Sequence, residues 1–422
     1  MYNNQDAINT SRSNVFIRNL ILVMGFVCLL LSSIPGNLHA ASMWEADPPM
    51  LAGDPQWDKV KDLWKDHYDG KNLDELIAIL TPLKDKTPDK VEPYLCLARA
   101  HYLHARYINK DKAGHFAESE NYAVQALKID PNNNFAIRAL MDTLIWSRDR
   151  NYIFSKYGEL LKAKGRIKLG DPCPVPDYMI GNYPESATFT KLWAERGDME
   201  KLKACIPLIE KMADAHPNDI YLQMWASYVD YYIGEVHTSY GLEEHNTKGI
   251  PYYKRGLAYA RKAMKLDPKN YLANYCVVMN QSRIIQFTSL MNKARYLMDF
   301  VTPLLYATKE NCSLFFFNPF VILGNTLIYG GWVTEKGFGM ANINKQMVFT
   351  ALEITEMVYP EFMFTPQVRA ELLYTMGNKK EAMAILTKLL ARDPGANKLV
   401  PENQTYYRIA KGFYEDIQSG KR

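Results

Sequence analysis

Two histidines stand where their type and spacing could hold a metal ion. His101 and His104 are three residues apart in HYLH, so on a helix both imidazoles would lie on one face. Zinc takes four ligands, counting any water, and no nearby Asp or Glu completes the set. We therefore interpret the two histidines as structural and expect neither a metal site nor a cofactor.

A stripe of aromatic side chains is the second candidate site. Tyr221, Trp225, Tyr228 and Tyr232 recur at helical spacing and would share one face of a helix. Such a stripe either packs between helices or lines a groove or tunnel for a ligand with an apolar body. Phe316, inside a run of three phenylalanines, is added because three consecutive aromatics cannot all face one side of a helix. These five residues are our candidate ligand-binding positions, and a core role stays open for each.

Catalytic motifs are missing from the chain. It contains no G-x-S-x-G, H-E-x-x-H or P-loop, and Gly337–Gly339 supplies only a G-x-G without the strand of a dinucleotide fingerprint. Acidic neighbours such as Asp74 and Glu75 fit a solvated helix face. We predict no catalytic residue and a protein that is not an enzyme, since an enzyme built on a helical ring would need clustered acids.

Composition and cysteine usage narrow the class further. Lys+Arg 50 against Asp+Glu 46 gives a net charge of +4, too small a surplus to indicate nucleic acid as a partner. A hydrophobic fraction of 48% indicates a folded chain. No C-x-x-C occurs, and Cys96, Cys205 and Cys276 lie among apolar residues, which is typical of buried free thiols.

The N-terminus has the pattern of a secretory signal peptide. The apolar run Leu20–Leu31 is shorter than the ~20 residues of a membrane-spanning helix, and helix breakers and small residues follow it. We predict cleavage after Ala40 and a periplasmic or otherwise exported protein. An uncleaved membrane anchor is the alternative.

The remainder of the chain has helical periodicity, and strand alternation is absent. An amphipathic run that ends at a proline recurs five times. Because proline cannot continue a helix, each phrase predicts one helix end and the entry to the next helix. The five phrases are Lys128–Pro131, Ala215–Pro217, Lys265–Pro268, Val358–Pro360 and Ala391–Pro394.

The clearest repeat unit is a helical hairpin at Phe364–Pro394. Ala370 and Ala382 are small where its helices would cross, and Gly377 would make the turn. This pattern resembles the 34-residue tetratricopeptide repeat. We predict an all-α, irregular tetratricopeptide-like array of helical hairpins, an α-solenoid or toroid. Its segments are 1–40 (signal peptide), 41–56 (flexible lead), 57–170 (N-terminal repeats), 171–311 (central repeats after a proline-rich loop) and 312–422 (C-terminal helices).

The C-terminal part resembles the T-component family of the tripartite ATP-independent periplasmic (TRAP) transporters. The resemblance lies in the apolar helix Asn318–Tyr329, the Tyr-Pro-Glu phrase at Val358–Glu361, the hairpin that follows it, and the tail Leu399–Ile417. This chain lacks the lipidation cysteine of some members and is longer on its N-terminal side.

That resemblance implies an all-α, repeat-built periplasmic protein, trimeric around a pore, that partners a periplasmic solute-binding protein. The expected function is a non-catalytic accessory role in solute uptake, with a hydrophobic small molecule as a further expected ligand. The alternative is a general exported scaffold that binds another envelope protein, with peptides laid along its groove.

Overall fold

The chain is helical throughout the part that the structure describes. The computed structural model describes residues 50–51, 55–108, 110–164, 180–236, 248–286, 290–310, 320–328, 339, 343–396 and 400–421. Helices account for 81% of these residues and no strand occurs among them, which confirms the all-α prediction. None of these helices is long and apolar enough to span a bilayer. The predicted signal peptide and Phe316 lie outside the described residues.

Helix follows helix along the described residues. The first begins at Pro55, close to the expected start of the helical part at residue 57, since proline suits the first turn of a helix. A 3-10 helix, Tyr68–Gly70, follows the first α-helix, and residues 320–328 are also helical. The α-helices are α1 Pro55–Trp64, α2 Leu73–Lys86, α3 Glu92–Tyr107, α4 Lys112–Ile129, α5 Asn134–Ser147, α6 Arg150–Lys164, α7 Ser186–Ala194, α8 Met199–Ala215, α9 Ile220–Val236, α10 Ile250–Leu266, α11 Tyr271–Gln286, α12 Leu290–Glu310, α13 Lys345–Val358, α14 Phe364–Thr375, α15 Lys379–Leu390 and α16 Val400–Gln418.

The five proline phrases end helices as predicted, at the ends of α4, α8, α10, α13 and α15. Two of these turns share the same hydrogen bonds. In the first, the Asn133 amide donates to the Asp130 carbonyl at 3.1 Å, and Asn133 Oδ1 accepts from the Ala136 amide at 3.0 Å. Asp267 and Asn270 repeat this arrangement before α11. Each Asp-Pro phrase thus ends one helix, and an asparagine caps the next.

Helices that are adjacent in sequence pack against each other along two long runs, α1–α5 and α7–α12. Alternate helices also touch, because α3 contacts α5 and α9 contacts α11. Small side chains allow these close approaches: on α10, a Cβ added at Gly256 would lie 2.9 Å from the Ser227 carbonyl oxygen of α9.

The C-terminal helices join the two runs. α13 packs on α5 and α6, where Arg150 Nη2 donates to Glu353 Oε1 at 2.8 Å. α16 packs on α9, α14 and α15. The first run also meets the end of α12, since the Tyr102 hydroxyl donates to the Lys309 carbonyl at 3.1 Å. These contacts bring residues from distant parts of the sequence into one apolar core.

The hairpin of α14 and α15 turns at Gly377, as the sequence predicts. Gly377 has φ +86°, and its amide donates to the Tyr374 carbonyl at 3.0 Å. The Asn378 amide reaches the Leu373 carbonyl at 2.9 Å, which completes a Schellman ending. Ala370 and Ala382 are fully buried on the two helices.

Candidate functional site

The predicted aromatic stripe lies on α9, and three of its members join a cluster with two aromatics of α7. We define the aromatic cluster as Phe189, Trp193, Trp225, Tyr228 and Tyr232. The Trp193 ring is its centre, with centroids 5.5 Å from Trp225, 5.5 Å from Tyr228 and 5.2 Å from Tyr232. The three pairs are close to edge-on, which is a favourable geometry for aromatic rings.

The aromatic cluster is closed to solvent. Trp225 is 0% exposed, and Tyr228 and Tyr232 are nearly as buried. The Arg196 guanidinium lies over the Trp193 ring at 5.1 Å and covers one side of the cluster. The indole nitrogens of Trp193 and Trp225 are buried without a hydrogen-bond partner. A ligand could reach Trp225 only if α7 and α9 separated, whereas a core role requires no movement.

Tyr221, the first residue of the predicted stripe, lies elsewhere. It is half-buried at the rim of an open surface groove of about 600 Å³. The α8–α9 groove, as we name it, is lined by Tyr183, Ala215, His216, Pro217, Asn218, Asp219, Ile220 and Tyr221. The structure therefore separates the stripe into one residue at a groove and three in the core, with Phe316 outside the described residues.

Asp219 organises the α8–α9 groove. Its carboxylate caps α9 by accepting from the amides of Tyr221 at 2.9 Å and Leu222 at 3.1 Å. The same carboxylate accepts the Tyr183 hydroxyl at 2.5 Å. This hydrogen bond, together with burial, raises the pKa of Tyr183 to about 12. The Tyr183 ring is 4.5 Å from the His216 ring, so the groove presents aromatic faces beside hydrogen-bonding groups.

A buried ion pair fixes the other end of α9. Glu235 accepts from Arg283 of α11 through two hydrogen bonds of 2.6 Å. It also accepts the hydroxyls of Tyr253 at 2.8 Å and Tyr406 at 3.3 Å. Four helices, α9, α10, α11 and α16, therefore meet at one carboxylate. This network positions α9 but offers no surface to a ligand, because Glu235 and Arg283 are both almost fully buried.

A second buried carboxylate joins α4 to α6. Glu120 accepts from the hydroxyls of Tyr157 at 2.6 Å and Tyr152 at 2.7 Å, and from Lys156 at 2.9 Å and Arg148 at 3.0 Å. Burial alone would raise the pKa of Glu120, but these hydrogen bonds outweigh it and lower the pKa to about 2. These four donors already use the hydrogen-bonding capacity of the Glu120 carboxylate. We therefore assign it a structural role.

The two histidines singled out in the sequence have a third histidine beside them. His115 of α4 lies between them, with its Nδ1 3.0 Å from His101 Nδ1 and its ring stacked 3.5 Å from that of His104. Within the described residues, no group of three His, Cys, Asp or Glu side chains has the arrangement of a metal site. The spacing of HYLH could not predict that His115 joins the pair, because His115 lies on the next helix.

The cysteines that the structure describes are buried and unreactive. Cys96, Cys205 and Cys276 are buried inside the core, as predicted. Burial raises the pKa of Cys205 and of Cys276 to about 12, so neither forms a reactive thiolate near neutral pH.

The groove and cluster contain residues that sequence reasoning missed. Tyr183 and Asp219 meet across 36 positions of sequence, and Trp193 joins the stripe from another helix. One local signal was available, because Asp219 follows the Ala215–Pro217 phrase at the position of a helix N-cap.

Comparison with known proteins adds no relative to these observations. No protein-family model matches the chain, and no curated protein matches it with significance.

Proposed function

We propose that this protein is a non-catalytic, tetratricopeptide-like helical-repeat protein of the cell envelope that binds a protein partner. The observation that carries the proposal is the packing of consecutive helices in hairpins, with α3 on α5 and α9 on α11 as alternate helices. Such arrays present a continuous surface, and that surface typically serves protein binding. The hairpin of α14 and α15, with its Gly377 turn, supports the repeat assignment.

The specific form of the proposal is the accessory role in TRAP-type uptake, with a periplasmic solute-binding protein as partner. Its support is the C-terminal series resembling the T-component family, in which helical residues 320–328 precede α13, the Tyr359–Pro360 turn, the hairpin and α16. This transport role also includes export after cleavage near Ala40, assembly into a homotrimer and binding of a hydrophobic ligand.

The second candidate function is a general envelope scaffold. The closed aromatic cluster favours it, because Trp225 contributes to the core instead of lining an open conduit. The α8–α9 groove also favours it, since an open groove with aromatic and hydrogen-bonding groups suits a polypeptide segment.

A single preparation tests both candidates. The full chain would be purified from its own cell envelope under native conditions and measured by native mass spectrometry for oligomeric state and retained molecules. A trimer that co-purifies with a solute-binding protein supports the transport role, and a stable complex with another envelope protein supports the scaffold. A monomer without a protein partner or an organic ligand contradicts both.

A matched pair of variants locates the binding surface. Tyr221→Ser alters the α8–α9 groove, whereas Tyr252→Ser alters another half-buried tyrosine, on α10. We expect only Tyr221→Ser to weaken partner binding, by about tenfold, because aromatic side chains often carry much of the binding energy at such surfaces. Equal losses in the two variants would place the partner elsewhere.

A further inference from the structure

Three histidines meet where α3 turns into α4. We define the imidazole trio as His101 and His104 near the end of α3 and His115 in the first turns of α4. His101 and His104 are 8% and 3% exposed, and His115 is half-buried. The trio is therefore part of the packing that holds the two helices together at this end.

The contact between His101 and His115 requires at least one of the two rings to be neutral. A hydrogen bond between the Nδ1 atoms of His101 and His115, 3.0 Å apart, needs one N–H donor and one lone pair. If both rings were protonated, two N–H groups would face each other and this bond would be lost. The His104 ring stacks on His115 at 3.5 Å with an angle of 12°, so charge on both rings would add repulsion at contact distance.

The surrounding charges do not compensate His101. On α2, Asp74 hydrogen-bonds His104 Nε2 at 3.0 Å, and its side chain is largely exposed. From α4, the uncharged Tyr122 ring also lies beside His101, at 5.6 Å from its ring. Burial, together with the neighbouring His115 and His104, lowers the pKa of His101 to about 4.

His115 has more charged neighbours than His101. Burial and His104 lower its pKa, and Asp111, Asp74 and Glu118 oppose the shift without reversing it. Cations beside the turn include Arg106, Lys110 and Lys112, and Lys84 of α2 lies over the Tyr122 ring at 6.0 Å. The region therefore contains both carboxylates and cations, and its carboxylates do not restore the ordinary pKa of His115.

The turn that the trio secures is strained independently. Asp111 has φ +44°, a left-handed conformation that is unfavourable for a residue other than glycine. Its side chain caps α4 by accepting from the Gly114 amide at 3.3 Å. A Cβ added at Gly114 would lie 2.3 Å from Asp111 Oδ2, so the cap depends on glycine there. The local hydrogen bond of the Asp111 side chain helps to stabilise this conformation.

The deeper part of the hairpin is secured by other means. Ser119 Oγ donates to the Ala98 carbonyl at 2.7 Å and is 2.6 Å from Thr143 Oγ1 of α5. Both contacts are buried and neither involves a group that titrates between pH 4 and 8. An opening that begins at the trio should therefore stop near Ser119 and leave the core of the hairpin packed.

We propose that the imidazole trio is an acid-sensitive joint, which holds the α3–α4 turn closed when its rings are neutral and lets residues 101–118 open when they gain protons. The direction of the pH dependence follows from the linkage between proton binding and opening. The closed state binds a proton on His101 more weakly than the open state does, so closure is favoured above the ordinary histidine pKa and is lost as pH falls towards 4. With about 6.5 for the open state and about 4 for the closed state, opening should increase about 20-fold between pH 7 and pH 5.

Hydrogen–deuterium exchange of the full chain at pH 7, 6 and 5, corrected for the intrinsic rate, tests the joint. We expect protection in peptides covering residues 101–118 to fall about 20-fold over this range. The hairpin 364–394 contains no histidine and provides an internal control whose protection should stay constant. Unchanged protection of 101–118 at pH 5 would overturn the proposal.

Two variants assign the effect to the trio. His101→Phe/His115→Gln keeps ring packing and a hydrogen-bonding group but removes two titrating sites, and its 101–118 region should open equally at pH 7 and pH 5. If this variant does not fold, His115→Gln alone, at the half-buried member, should reduce the pH response. His216→Gln, in the α8–α9 groove, should retain the wild-type response. A wild-type pH response in the folded double variant, or an unreduced response in His115→Gln, would contradict the proposal.

Discussion

The interior of α9 and its N-terminal end differ in solvent access and in hydrogen bonding, although they belong to one helix. In the interior, Trp225 is surrounded by rings from α7 and from α9 itself, and its indole nitrogen has no hydrogen-bond partner. At the N-terminal end, Asp219 and Tyr183 are joined by a hydrogen bond beside an open groove. Burial decides the role of the interior aromatics, whereas hydrogen bonding and access decide the role of the end. Aromatic spacing along a helix alone does not distinguish these roles.

Trp225→Ala should be the most damaging change to this helix. It removes a fully buried side chain from the aromatic cluster, and such a loss costs about 4 kcal/mol of unfolding free energy. Urea denaturation measures the loss. Trp225→Phe is the matched control, because it keeps an aromatic ring and removes the unpaired indole nitrogen, and should cost about 1 kcal/mol. If Trp225→Ala does not lower the unfolding free energy, the aromatic cluster is a candidate ligand site instead of a core element.

Arg283→Met should cause the next largest loss of unfolding free energy. It leaves the buried Glu235 without its cation and with the Tyr253 and Tyr406 hydroxyls as donors, at a cost of about 3 kcal/mol. Lys262→Met on α10 removes an exposed ion pair with Asp214 and should cost less than about 0.5 kcal/mol. Similar losses in both variants would mean that Glu235 does not need Arg283 to remain buried.

Asp219→Ala tests the N-terminal end of α9 itself. The change removes a helix cap and the acceptor of the Tyr183 hydroxyl, and should cost about 2 kcal/mol. Asp198→Ala provides the comparison, because Asp198 caps α8 through the Glu200 amide and should cost about 1 kcal/mol. If the two variants lose equal stability, the bond between Asp219 and Tyr183 contributes nothing.

The smallest expected effect is a pH dependence at the groove. The pKa of Tyr183 is raised to about 12 in the folded protein, above the ordinary tyrosine value near 10. Stability from its neutral hydroxyl is therefore present below pH 10 and is lost as pH rises through about 12. The difference in urea midpoint between wild type and Tyr183→Phe should shrink from pH 8 to pH 11. A difference that stays constant would show that the hydroxyl does not contribute.

Sequence predicted the features that depend on neighbouring residues. The proline phrases ended helices, Gly377 made the C-terminal turn, and the thiols of three cysteines were buried, because each depends on local backbone preference or apolar context. The candidate sites were harder to predict. His115 approaches His101 from the next helix, and Tyr183 reaches Asp219 from before α7. Contacts of this kind leave no periodic pattern, since the helices that form them are not specified by local spacing.

The contact between α9 and α16 also constrains the order in which the molecule can be completed. Glu235 receives one of its hydrogen bonds from Tyr406, 171 positions later in the chain. While a ribosome is still making the C-terminal helix, this carboxylate has one donor fewer and the face of α9 that α16 covers is open to water. Because α16 is synthesised long after α9, it closes a contact whose other half was made much earlier, and exposed surface of the kind it covers is what chaperones bind until such a helix emerges.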